Sequence, residues 1–392
     1  MSGVLDGVCV LDFGRYIAGP FAAALLGDLG ADVIRVERIG GGEDRALYSV
    51  TKSGDGALYL QMNRNKRSLA IDTKTPGGAL VLERLVQKSG IVMANLPEAG
   101  LRDLGIDYAS LTRIRPDAIL AAVSAFGAHG PYATKVGFDG VAQAMSGAPY
   151  LSGFGPPTKS FASWCDMTTA MLAAFATLAA IHERTRSGRG QVVSANLLAS
   201  ALTVMNYPLI EQHLVQADRR ASGNRGQTGA PADIFETADG WIAVQVIGDN
   251  LFRRWARLVG AEDLFSDPRC ANDTLRAEHA GLISERMIPW CKQVKTERAL
   301  ELLAEARLPA GPVLSPAQAL VHPEIQGGGY FDSMDYPGAP APAPIARPIE
   351  MSATPPALSR RAPTLGEHTE EILDELGFSA REVETLRRDR VI

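Results

Sequence analysis

Residues 7–37 read GVCVLDFGRYIAGPFAAALLGDLGADVIRVE. The run GVCVLDF (7–13) is of strand length and ends at Asp12 and Phe13. A Gly/Pro loop follows, then the helix-like FAAALLGDLG, then a second strand-length run, ADVIRVE, at 31–37. Strand, helix and strand at this spacing make a βαβ unit. The unit recurs: RSLAIDT leads to PGGALVLERLVQKS and GIVMAN, and AILAAVSAF at 118–126 supplies a further strand. A short parallel connection through a helix has one favoured hand, so the first half of the chain is expected to be α/β, with a mainly parallel Rossmann-like sheet.

Working outward, a helix beginning near Asp166 runs to HERTRSGRG, where basic residues suit the helix C-terminus and Gly188 stops it. QVVSANLLASALTVMNYPLIEQHL suggests a strand and one long helix, and RRASGNRGQTGAPA is a polar, glycine-rich connector. ADIFETADGWIAVQV reads as a β-hairpin, with amphipathic helices following to residue 307. YPGAPAPAPIARP at 336–348 has too many prolines for helix and is expected to be extended. The expected organisation is a large domain over 1–195, a linker over 196–224 and a smaller α+β domain over 225–325. A return linker over 326–350 and a C-terminal segment, 351–392, then rejoin the large domain.

Composition limits the chemistry. With 392 residues, 46% hydrophobic and 21% charged, the chain is of soluble globular type. Its 39 Lys and Arg against 44 Asp and Glu give a net charge of −5, which offers no general attraction to nucleic acid or an anionic membrane. Met167–Ile181 is the most apolar long segment and is shorter than the ~20 residues of a bilayer span, so no membrane role is expected. The four cysteines (9, 165, 270, 291) form no C-x-x-C pair. A zinc site or disulfide framework is therefore not expected, and a reducing cytoplasm is. The P-loop, G-x-S-x-G and H-E-x-x-H patterns are absent, and Gly14–Gly19 lacks the G-x-G-x-x-G of dinucleotide enzymes.

Basic, glycine-containing loops remain. IRVERIGGGEDR carries Arg35, Arg38 and Arg45, and MNRNKRS carries Asn63, Arg64, Asn65, Lys66 and Arg67. Arginine forks and lysine charges on such loops suit a polyphosphorylated ligand, whereas the plain alternative is solvated surface. SWCDMTTAML (163–172) puts the thiol of Cys165 beside the carboxylate of Asp166 at a helix start. On local grounds Asp166 is a helix cap. Cys165 has an anion rather than a base beside it, which disfavours a reactive thiolate.

Five motifs in order, namely residues 7–45, NRNKRSLAIDTKTPGG, GFDGVAQAMSG, the Asp166 helix ending RTRSGRGQVV, and PTLGEHTEEILDELGFSAREVETLRRDRVI, resemble class III CoA-transferases. This is the CaiB/BaiF type that includes formyl-CoA transferase, and the similarity runs almost end to end. The resemblance implies Asp166 as the nucleophile toward an acyl-CoA thioester, already ionised at neutral pH, with aspartyl anhydride and aspartyl-CoA intermediates and no tightly bound cofactor or metal. It implies a CoA site lined by Ile17, Ala18, Arg38, Asn63, Arg64, Asn65, Lys66, Lys135, Phe138 and Asp139. Asn95 and Arg102 stand where relatives carry a nucleotide contact, with Arg102 shifted by one position. Arg15, Tyr16 and Arg225 are candidates for facing an acid's second carboxylate, and Gly248 of Ile247–Asn250 matches a glycine loop of the family. The resemblance further implies an interlocked homodimer. The sister activity, α-methylacyl-CoA racemisation, places a histidine where Phe138 stands, so the second proton-transfer group is missing here. A non-catalytic acyl-CoA-binding protein is the third reading.

Overall fold

The computed structural model describes residues 3–392. Six strands, β1 (Cys9–Asp12), β2 (Asp32–Glu37), β3 (Lys66–Ala70), β4 (Ile91–Ala94), β5 (Ile119–Ser124) and β6 (Val192–Asn196), form one sheet in the order β3-β2-β1-β4-β5-β6. Every pairing is parallel. This is the doubly wound arrangement expected from the recurring βαβ units, and its order reverses between β1 and β4. Helices cover both faces, so β4 is buried throughout and reads as an unbroken apolar run.

The helices of this part are α1 (Ala18–Asp28), α2 (Ala57–Met62), α3 (Pro76–Ser89), α4 (Glu98–Asp103), α5 (Tyr108–Ile114) and α6 (Asp139–Met145). After α7 (Ala148–Leu151) come α8 (Trp164–Ser187), α9 (Leu197–Val204) and α10 (Asn206–Val215). The start of α3 shows local sequence at work: Thr75 accepts the Gly78 N–H and Pro76 occupies the first turn, where no N–H is needed. α1 buries everything from Ala18 to Gly27, and its alanines allow α8 to approach closely through Ala170, Ala173 and Ala174. By length and composition α8 matches a membrane-spanning helix. Here its alanine stripe lies in the core beside α1, and Gly188 ends it in the left-handed conformation (φ 72°).

The single long helix expected after β6 is two helices. Pro208 has no N–H for the carbonyl of Val204, and the chain breaks at Met205. The proline-rich stretch also differs from a plain connector. Ala343–Ala346 pairs with Phe331–Met334 in a two-stranded antiparallel sheet, where every strand is an edge and proline is tolerated.

The chain divides into two compact units. One comprises residues 1–147, 160–216 and 330–392; the other comprises 148–159 and 217–329. The second is α+β. β7 (Ala232–Glu236) and β8 (Trp241–Gln245) form the hairpin, β9 (Ala310–Pro312) adds a third antiparallel strand, and α11 (Asp249–Val259) packs beside them through Phe252 and Trp255.

Residues 357–391 return to the first unit and cover its edge strand. The Ser68 N–H donates to His368 Nδ1, the His368 N–H donates to the Ser68 carbonyl, and the Ala70 N–H donates to Thr369 Oγ1. Asn65 accepts the N–H groups of Ser359 and Arg360, Arg67 reaches Glu371 and Glu375, and the Asp72 N–H donates to the Val391 carbonyl.

Candidate active site

At the carboxyl ends of β1 to β4, where open α/β sheets bind ligands, lies a cleft of about 280 Å³. Gly14 and Arg15 from the β1–α1 loop, Arg38 beyond β2, Asp72 and Lys74 beyond β3, and Leu96 beyond β4 are on its wall. Arg38 is exposed and binds Glu43, which also lies 3.7 Å from Arg15. Two arginines thus share one surface carboxylate at the cleft rim.

Beneath the cleft is a buried network of opposite charges. Lys66 Nζ binds Asp12 at 2.6 Å and also donates to Asn63 Oδ1 and the Pro20 carbonyl. Arg35 joins Asp44 at 2.6 Å and Glu37 at 3.1 Å, while Arg45 joins Glu37 and Asp55. Burial opposes ionisation of Glu37, but Arg35 and Arg45 outweigh it and hold its pKa down at about 2. Burial pulls the Lys66 ammonium down to about 8, with Asp12 offsetting part of that loss. The network shapes the loop above it. The Gly14 N–H donates to Asp12 Oδ1, and Arg35 donates to the Gly14 carbonyl. A side chain at Gly14 would meet Asp12 and Pro20 at 2.7 Å, so the tight approach needs glycine.

The side chains of Asn63, Arg64, Asn65 and Lys66, expected to line a ligand site, are therefore corrected to interior structure. All four are buried. Arg64 forks onto Asp28, and Asn65 holds Asp28 and the returning chain. Their loop precedes β3, at the amino end of a strand, and its charges are spent on partners inside the protein.

Asn95 also acts on protein. Its amide group accepts the Arg15 N–H and donates to the Arg15 carbonyl, both at 2.7 Å. The next residue, Tyr16, holds a left-handed backbone (φ 63°), and its ring meets Phe138 edge-on at 5.7 Å. Such a backbone is uncommon for a bulky residue and is retained where surroundings dictate it. Ile17 and Ala18 are buried in the core at the start of α1. Arg102 is exposed and paired with Glu98, and Lys135 is exposed with its ammonium 3.6 Å from the Tyr132 ring centre. Gly248 lies in the second unit, where its N–H donates to Asp273 ahead of α11.

Phe138 leads into Asp139, the first residue of α6. Asp139 is buried, and its Oδ1 accepts the N–H groups of Cys165 at 2.8 Å and Asp166 at 3.1 Å. Asp139 thus caps α8, a role that local sequence assigned to Asp166. The two are 27 positions apart, beyond any short-range capping pattern. Gln143, fully buried, donates to Asp139 Oδ2 and to the Ala162 carbonyl and accepts the Ser160 N–H, tying α6 to the strand of chain before α8.

Asp166 is half-buried in the first turn of α8 and accepts no hydrogen bond from the described residues. Burial, followed by the charge of Asp139, pushes its pKa up to about 7. The expectation of a carboxylate ionised like a free one at neutral pH is therefore corrected to one whose ionisation is opposed by burial and by Asp139. Cys165 is buried, and burial together with Asp139 and Asp166 lifts its thiol to about 12, so it is not a thiolate at neutral pH. The cleft residues Ile71, Asp72, Thr73, Lys74 and Leu104 were not singled out from sequence. The strand-end rule applied to β3 would have found the first four.

The comparisons with known proteins agree with this architecture. The succinyl-CoA–D-citramalate CoA-transferase of Chloroflexus aurantiacus is 33% identical over 99% of this chain and 98% of its own. The succinate–glutarate CoA-transferase of Agrobacterium fabrum is 33% identical over 95% of each. A CaiB/BaiF family protein from Brucella suis has a solved structure that superposes with a TM-score of 0.82, at 30% identity, covering 96% of this chain and all of that one. The family profile described as CoA-transferase family III matches residues 5–369, and the chain belongs to that family of enzymes.

Proposed function

We propose that the protein moves CoA from an acyl-CoA thioester to a free carboxylic acid by way of Asp166. The observation that carries this reading is a half-buried carboxylate in the first turn of α8, with no cation or hydrogen bond from the described residues to quench it, and lifted to about 7. A carboxylate of that basicity is a stronger nucleophile than a free one while still substantially ionised at neutral pH.

Asp166 attacks the acyl carbonyl, forming an aspartyl anhydride and releasing CoA thiolate. The thiolate attacks the aspartyl carbonyl, giving aspartyl-CoA and the donor's free acid. The acceptor carboxylate then attacks aspartyl-CoA, forming a second anhydride and releasing thiolate again. The thiolate takes the acceptor's acyl group and frees Asp166. Each turnover leaves one acceptor oxygen on Asp166. Isomerisation by proton exchange is the less supported reading, because Phe138 provides no acid or base.

The cleft beyond β1 to β4 is assigned to the nucleotide end of CoA, with Arg38 and Lys74 for its phosphates. Because the relatives above are named for dicarboxylic acids, we assign succinyl-CoA and a dicarboxylic acceptor as the substrate class. Arg15 and Tyr16 face the acceptor's second carboxylate. A homodimer suits the exposed Phe175, Tyr207, Leu214 and Val215 on α8 and α10, and light scattering should return twice the chain mass.

The test is direct. Asp166→Ala should lower transfer by at least about a thousandfold. An acceptor labelled with ¹⁸O should leave one label on the Asp166 peptide of the native enzyme, and hydroxylamine should trap an adduct there during turnover. Transfer undiminished without Asp166, or label found elsewhere, overturns the reading.

A further inference from the structure

The transfer reaction as written uses one carboxylate, yet the structure presents two. Asp139 comes from α6, is buried, and is the acceptor for three N–H donors: the backbone of Cys165, the backbone of Asp166 and the side chain of Gln143. No cation accompanies it among these contacts. This contrasts with the buried acids beneath the cleft, since Asp12, Glu37, Asp44 and Asp55 each touch Lys66, Arg35 or Arg45. Among the described residues, Asp139 is the one charge that acts on Asp166. Its own helix contributes the Cys165 thiol; β5, β6 and α9 carry no titratable side chain; α1 carries only Asp28, bound to Arg64; and Tyr16 packs on Phe138 beside Asp139.

We propose that Asp139 is a positioning residue for the transfer reaction, which fixes the first turn of α8 through two backbone N–H groups and holds its negative charge against Asp166, strengthening that carboxylate as a nucleophile. The inference rests on Asp166 being the attacking group. It goes beyond that reading by giving the capping carboxylate a chemical task. A neutral cap such as serine or asparagine would satisfy the helix end equally well, so capping alone leaves the charge unexplained. Like charges placed together disfavour ionisation, and a carboxylate without donors has nothing to offset that. Among the described residues Asp139 has three donors and Asp166 none.

Asp139→Asn separates the two tasks, because the amide oxygen still accepts the helix N–H groups while the charge is gone. In native enzyme, transfer should rise with pH along a limb centred near 7, matching Asp166. In Asp139→Asn the limb should move to lower pH by about one unit, with the plateau rate down on the order of threefold. Asp139→Ala removes cap and charge together and should also lower the melting temperature. A readout without catalysis comes from infrared difference spectra of native protein against Asp166→Asn. The carbonyl band of protonated Asp166 should vanish through pH 7 in native protein and at lower pH on the Asp139→Asn background. A folded Asp139→Asn variant with an unshifted rate limb and an unshifted band overturns the proposal. Should that variant fail to fold, a native Asp166 band that titrates in the ordinary carboxylate range overturns it. Full transfer by Asp166→Ala would instead sink the assigned nucleophile, leaving the infrared titration to judge the coupling of the two carboxylates.

Discussion

Two groups of buried carboxylates, both in the sheet-bearing unit, behave in opposite ways. Beneath the cleft, Asp12, Glu37, Asp44 and Asp55 are interleaved with Lys66, Arg35 and Arg45, and Glu37 is pulled down to about 2. At the head of α8, Asp139 and Asp166 have each other and no cation among the described residues, and Asp166 is pushed up to about 7. Burial opposes charge in both places, so the presence of partners decides the sign. The charge-rich Asn63–Lys66 loop of the sequence holds the protein together, while the acid proposed to react comes from a stretch that looks like an ordinary helix start.

The sharpest way to break the contrast is to unpair the first group. Lys66→Met would leave buried Asp12 with only Arg35, at 3.8 Å, as a cation, and denaturant unfolding should show a loss of about 3 kcal/mol. A smaller loss would mean that water reaches the network. The second group should respond in the opposite sense. The folded pKa of Asp166, about 7, lies above the ~4 of an unfolded carboxylate, so the native state keeps a proton that the unfolded chain gives up. Its contribution is most favourable below pH 4, and it declines as pH rises to 7. Asp166→Asn should therefore leave stability unchanged near pH 4 and raise it at pH 8 by on the order of 4 kcal/mol. Equal gains at both values would deny the shift.

Two smaller effects sharpen the picture at the surface and in the core. Arg15→Gln should raise KM for a dicarboxylic acceptor about tenfold and leave a monocarboxylic acceptor unaffected. Equal changes for both would place Arg15 elsewhere than at the second carboxylate. Cys165→Ser should retain kcat within about twofold, because a thiol held at about 12 takes no part in neutral chemistry.

Much of the fold was legible because its determinants are local. The βαβ rhythm of residues 7–37, Gly188 at the end of α8 and the hairpin around Ala238-Asp239-Gly240 are each set within a few residues. What failed to show was long-range pairing. Asn63–Lys66 found partners at Asp12, Asp28 and residues 357–360, and nothing in MNRNKRS announces them. The cap on α8 arrives from Asp139 across a different helix, so sequence placed an aspartate correctly at the helix start and gave it the wrong bonds. The elevated pKa was illegible for the same reason, since it depends on burial and on a neighbour 27 positions away.

The returning segment, 357–391, has a bearing on how the chain is made. β3 is the outer strand of the parallel sheet, and its open side is closed by His368 and Thr369. His368 lies 300 positions beyond Ser68, so during translation that side stays open until the chain has grown far past β3. Until then an uncovered strand edge stands ready to recruit other chains. A shortened product ending before residue 357 keeps that exposure permanently, and is expected in the insoluble fraction even though every residue around Asp166 is present.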